Sequence, residues 1–134
     1  MGKEEVRLKK NMNIALSLRK TVCGVGINDA DYPVHKKDKK IRIWTCPYYT
    51  VWKSMLIRCY SANRHRNLKT YEYCTVHPEW HSFMAFRAWM KQQDWEGKDL
   101  DKDIITPGNK EYGPNTCCFV THAVNMLITY DTSV

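Results

Sequence analysis

Between positions 41 and 70 the chain carries six basic residues, Arg42, Lys53, Arg58, Arg64, Arg66 and Lys69, and no acid. From 94 to 103 the balance inverts, with five acids against Lys98 and Lys102. A basic stretch beside an acidic cluster suits a site that holds phosphates and a divalent cation, since hard carboxylate oxygens take magnesium or manganese. Two unrelated solvated faces would give the same pattern. Arg58, Arg64, Arg66 and Lys69 lie on or beside one polar loop flanked by Tyr60 and Tyr71, and are the strongest candidates for phosphate contacts. A solvated basic loop is the competing reading. Contacts of this kind position a nucleic acid without choosing its sequence.

Cys74 and His77 form C-x2-H, a permissible half of a tetrahedral zinc site that Cys59 or the Cys117–Cys118 pair would complete. The second half has no diagnostic spacing, so buried thiols are the preferred reading and zinc ranks behind magnesium or manganese. Gly24 and Gly26 make only G-V-G, with neither a third glycine nor a following helix, which excludes a nucleotide-binding loop. Trp52, Trp80, Phe83, Phe86 and Trp89 could stack on bases, but their helical spacing assigns them to a core.

These side chains need elements to hold them. Residues 1–22 are basic and weakly amphipathic, with Leu8, Met12, Leu16 and Arg19 at helical spacing, and a helix is expected there. Residues 21–34 read as turn-rich and extended, and 35–40 as a charged, exposed loop. Pro47 suits the first position of a helix running to about 60. Val51, Met55, Leu56 and Cys59 then face inward with Trp52 close by, and Lys53, Ile57 and Arg58 lie more to the outside. A strand is expected over 71–76, and a second helix, opened by Pro78, over 78–93. After Gly97 come a strand over 100–105, a turn-rich loop over 107–114, a short extended piece and a final helix that begins before 125. That order, strand, loop, strand, helix, is a ββα unit, followed by a frayed tail.

The 134 residues make one domain, and five Trp, eight Tyr and three Phe supply much of a modest core. A net charge of +7 favours polyanionic partners, although a soluble basic protein would carry it too. No apolar run approaches membrane-spanning length, and the N-terminal residues fit neither a secretory signal nor a myristoylation motif. Six cysteines without a secretion signal argue against a disulfide framework.

The segments W-K-S-M-L-I-R-C-Y (52–60), Y-E-Y-C-T-V-H-P-E-W (71–80), F-M-A-F-R-A-W-M (83–90), L-D-K-D-I (100–104), G-N-K-E-Y-G-P-N-T-C (108–117) and F-V-T-H-A-V-N (119–125) follow in a telling order. Together they resemble a family of HNH-type (His-Me finger) proteins common in bacteriophages, often joined to Apetala-type DNA-binding modules. The stretch G-V-G-I-N-D-A-D-Y-P-V (24–34) is similar to the lead-in of such proteins. The resemblance implies an α+β fold, a small single domain with a ββα C-terminal core packed on two aromatic-rich helices. It places a basic arm at 1–46 and the HNH-like domain at 47–134.

In active HNH nucleases a His at the end of the first strand activates water, and a neighbouring Asp with a helical Asn or His holds one divalent cation on the scissile phosphate. By position, the resemblance gives the metal-binding Asp to Asp101 and the helical Asn to Asn125. The base falls on Lys102, a residue normally protonated at neutral pH. A register shift of one would put Asp103 there, as a weak base or a second metal ligand beside Asp101 on the same strand face. His122, one turn before Asn125, is the substitute base. The expectation is therefore a nucleic-acid-binding protein, DNA first, acting in the cytoplasm of an infected bacterium. It makes phosphate contacts through Lys53, Arg58, Arg64, Arg66, Lys69 and Lys102, and its magnesium- or manganese-dependent cleavage is weak or lost. The alternative is a protein-interaction module that docks on a host or defence enzyme.

Overall fold

The computed structural model describes residues 2–3, 19–61 and 74–132. Most of the helix expected over 1–22, the first residues of the strand expected over 71–76, and the loop bearing Arg64, Arg66 and Lys69 lie outside them. In chain order the elements are β1 (His35–Asp38), β2 (Ile41–Thr45), α1 (Pro47–Tyr60), β3 (Thr75–Val76), a 3-10 turn (Pro78–His81), α2 (Phe83–Lys91), β4 (Lys98–Asp101), β5 (Glu111–Tyr112), β6 (Cys118–Thr121) and α3 (His122–Thr132). The result is a small mixed α/β domain with three two-stranded sheets among the described residues: β1–β2 antiparallel, β3–β5 parallel and β4–β6 antiparallel. No helix among the described residues is long and apolar enough to cross a membrane.

Helix α1 begins at Pro47, whose missing N–H is no loss in the first turn, and its inward stripe is Tyr49, Trp52, Met55, Leu56 and Cys59. It packs on α2, which contributes Phe83, Phe86 and Met90. The Trp52 indole N–H donates to the Trp80 carbonyl at 2.8 Å, so the buried ring has its polar group satisfied. The aromatic residues assigned to the core by spacing are in it, Trp89 at its margin.

Four expected segments differ. The helix expected over 78–93 is interrupted at Ser82, because the Ile27 backbone reaches across the gap: its N–H bonds the His81 carbonyl (2.7 Å) and its carbonyl accepts from Phe83 N–H (3.0 Å). Asp29 completes the junction, accepting from the Ser82 hydroxyl (2.5 Å) and the Met84 N–H (2.8 Å), while Ser82 Oγ caps the Ala85 N–H. The loop expected over 35–40 is β1 and the turn of a hairpin. Lys39 and Lys40 both hold positive φ, 49° and 69°, the arrangement of a tight twisted two-residue turn. The strand expected over 100–105 starts earlier and stops at Asp101. Tail residues expected to fray are helical as far as Thr132.

The boundary expected at 46 falls inside one packed unit, since Ala30, Val34 and Cys46 belong to the same core as Trp52 and Phe83. Gly26 explains how the chain before α1 comes so close: a Cβ there would meet Leu56 Cδ1 at 2.5 Å and the Trp52 ring at 2.8 Å. Both partners are fully buried and cannot swing away. Gly26→Ala is therefore expected to lower stability by about 2 kcal/mol through overpacking. Urea unfolding checks it, and an unchanged midpoint would mean the chain around Gly26 has room to move.

Candidate nucleic-acid interface

The antiparallel pair β4–β6 runs directly into α3, which packs on both strands. Asp99, inside β4, fastens the helix: its Oδ2 takes a hydrogen bond from His122 Nδ1 (2.7 Å) and another from the Asn125 side-chain amide (3.2 Å). His122 and Asn125 meet here because residues three apart share a helix face. Apart from this contact the His122 side chain is exposed. Asp99 was missed in the sequence. The usable signal was its alternation with Asp101 on one strand.

Asp101 is buried where β4 ends. Its Oδ2 accepts the backbone N–H groups of Asp103 (3.0 Å) and Ile104 (2.7 Å), so the carboxylate turns the chain out of the strand. That turn is why Asp103 leaves the strand face. The Lys102 side chain, only 7% exposed, lies over the Tyr112 ring at 5.8 Å and places its ammonium 3.0 and 3.1 Å from the two Asp103 oxygens. Asn109 ties the returning loop down, donating to the carbonyls of Lys102 (3.1 Å) and Glu111 (2.5 Å). Arg58 from α1, Asp101, Lys102, Asp103, Tyr112 and Asn125 then surround one small cavity of about 50 Å³. The structure brings together all three residues expected at a metal, with the lysine at the expected base position in their midst.

No known family, curated protein or solved structure matches this chain. The cavity therefore has to be judged by its donors. One Asp101 oxygen is engaged by two backbone N–H groups, Asp103 faces an ammonium, and the Asn125 amide donates to Asp99. Among the described residues no three His, Cys, Asp or Glu stand together as a ligand set. These side chains, as placed, do not fit a divalent cation, because the Lys102 ammonium already occupies both oxygens of Asp103 and Asp101 Oδ2 is taken up by backbone N–H groups.

The cysteines do not assemble around a metal either. Cys59 and Cys74 share a thiol hydrogen bond, which raises the first and lowers the second to about 6, with Lys102 and Lys110 adding to the lowering. His77 is directed elsewhere, its Nδ1 accepting the Glu79 N–H at 3.1 Å. Burial pushes the Cys117 thiol up to about 12. Of the cations expected at phosphate, Arg58 borders the cavity, Lys102 is engaged within it, and Lys53 lies on another side of α1, facing the β1–β2 ribbon. Arg64, Arg66 and Lys69 fall outside the described residues.

Proposed function

We propose that this chain is a nucleic-acid-binding protein, DNA first, on an HNH-like scaffold that has given up phosphodiester cleavage. The observation that carries the reading is the Lys102 ammonium held on the Asp103 carboxylate, in the cavity Asp101 also lines, where the resemblance calls for a base and its metal. A protonated lysine cannot accept a proton from water, and its charge repels a second cation. The order β4, β6, α3 supports the scaffold, and the net charge of +7 supports a polyanionic partner.

Electrophoretic retardation of duplex DNA in EDTA, repeated from 50 to 200 mM salt, tests the reading together with nicking of supercoiled plasmid in Mg²⁺ or Mn²⁺. The expected outcome is retention that weakens steeply with salt and needs no metal, and no nicking. Nicking that requires metal and vanishes in Asp101→Ala would overturn the loss of cleavage, and no retention at any salt would overturn the binder.

A second reading, a module that docks on a host or defence protein, draws on exposed apolar side chains. Ile41 and Ile43 on the ribbon are 68% and 64% exposed, and Met126 and Leu127 stand out from α3. Binding to a protein partner that survives high salt and nuclease treatment would favour it.

A further inference from the structure

We infer that the cleft between the β1–β2 ribbon and helix α1 is a phosphate-binding site, and that the phosphate it takes belongs to a nucleic-acid backbone. The inference rests on the binding reading above and gives it a place on the surface, away from the Lys102 cavity.

The cleft has a volume of about 200 Å³, against the roughly 30 Å³ that one water occupies in the liquid. Arg42 enters from β2 and Lys53 from α1, with His35, Thr45, Thr50 and Ser54 between them. Every polar side chain in the lining offers an N–H or O–H, and no carboxylate is among them. Neither Arg42 nor Lys53 makes an ion pair among the described residues, unlike Lys98 and Lys102, which do. Two unneutralised cations facing each other across a concave, donor-lined surface create a field that an anion relieves.

Ribbon register places the groups. His35 pairs with Thr45 and Lys37 with Arg42, so these side chains share the face turned to α1, and the irregularity between Lys36 and Lys37 leaves Ile43 as the extra residue. The His35 ring hydrogen-bonds Thr45 Oγ1 at 3.1 Å. Burial together with Arg42, Lys53 and Lys37 lowers its pKa, a sign of how positive the cleft is. On the opposite face Lys36 lies over the Trp44 ring at 5.0 Å, and Lys39 and Lys40 form the tip. A ribbon with this charge is long enough to follow a phosphate backbone on either side of the cleft, and two-stranded ribbons fit the DNA major groove.

The test compares wild type, Lys53→Gln, the double variant Arg42→Gln with Lys53→Gln, and a charge-matched control, Lys20→Gln with Lys91→Gln. Duplex DNA retention is measured across salt, and the His35 ring signal is followed by NMR during titration with inorganic phosphate. Unfolding curves confirm that each variant folds. The expected result is that the double variant binds DNA roughly tenfold more weakly than the control, with a salt slope shallower by about two phosphate contacts. Lys53→Gln is expected about halfway. Inorganic phosphate should move the His35 signal in wild type and not in the double variant.

Equal DNA affinity and slope in the double variant and the control would overturn the site and leave the binding reading standing. Phosphate moving His35 in a wild type that retains no DNA would overturn the backbone source and the binding reading, with the cleft kept for a free phosphate group. Silence in both assays would overturn both.

Discussion

Arg19→Lys is expected to destabilise the fold by about 3 kcal/mol, although it conserves charge. The Arg19 guanidinium gathers three backbone carbonyls: Nη1 donates to Asn28 O (3.0 Å) and Ala30 O (2.8 Å), and Nη2 to Tyr32 O (2.8 Å). These carbonyls belong to the strap that runs from the Ile27 bridge into β1, where strand pairing gives them no other partner. A planar fork reaches three acceptors at once. A lysine ammonium on a flexible stem satisfies one, and the others lose a charge-assisted bond worth about 1.5–3 kcal/mol each. Equilibrium unfolding in urea decides: the midpoint should fall by more than about 1 M with the slope unchanged. A loss under about 1 kcal/mol would show that water replaces the fork without penalty. Because the strap leads to the ribbon, the same variant should weaken phosphate binding as well.

Lys102→Ala is expected to convert a protein indifferent to divalent ions into one that they stabilise. Removing the ammonium uncovers Asp103 beside the remaining oxygen of Asp101, in a cavity that Asn125 also borders. Two carboxylates no longer facing that ammonium attract a hard cation. At about 10 mM Mn²⁺, a site of roughly 1 mM affinity stabilises the fold by about 1.4 kcal/mol, an upward shift of roughly 5 °C in the unfolding midpoint. Wild type should not respond, and adding Asp103→Asn to Lys102→Ala should abolish the gain. Equal responses in wild type and Lys102→Ala would sink the idea that the lysine stands where a metal would.

How far the sequence reached depended on how local each signal was. Pro47 and the spacing of Trp52, Met55, Leu56 and Cys59 define α1 at both ends, since cap and period lie within one segment. The run β4, loop, β6, α3 was readable for the same reason, although the first strand ends earlier than expected. Its end is set by an aspartate that bonds the next two residues but one, a side-chain decision no periodicity records. The break at Ser82 depends on Ile27 and Asp29, more than fifty residues earlier, and was out of reach.

The ribbon escaped for a different reason. Strands announce themselves through alternation, but β1 has no buried residue and β2 is exposed along nearly its whole length. With neither face covered there is no apolar–polar rhythm to detect. The candidate site shows the same division: Asp101, Lys102, Asp103 and Asn125 were named and do share a cavity, while Asp99, Arg42 and His35 needed the folded partners to give them a role.

With only two strands in its sheet among the described residues, the ribbon has no strand paired to either backbone edge there, close to Ile41, Ile43 and Trp44. Such edges invite a second copy to add a strand. Lysines at 36, 37, 39 and 40 and the bulge at Ile43 are the devices that discourage it, by mutual repulsion and by a broken register. The charges that the proposed binding would offer to a polyanion are thus also guards against self-assembly. Neutralising them, by mutation or by a short polyanion that leaves the edges bare, removes a barrier to edge-to-edge stacking, so colloidal stability and ligand recognition draw on the same few side chains.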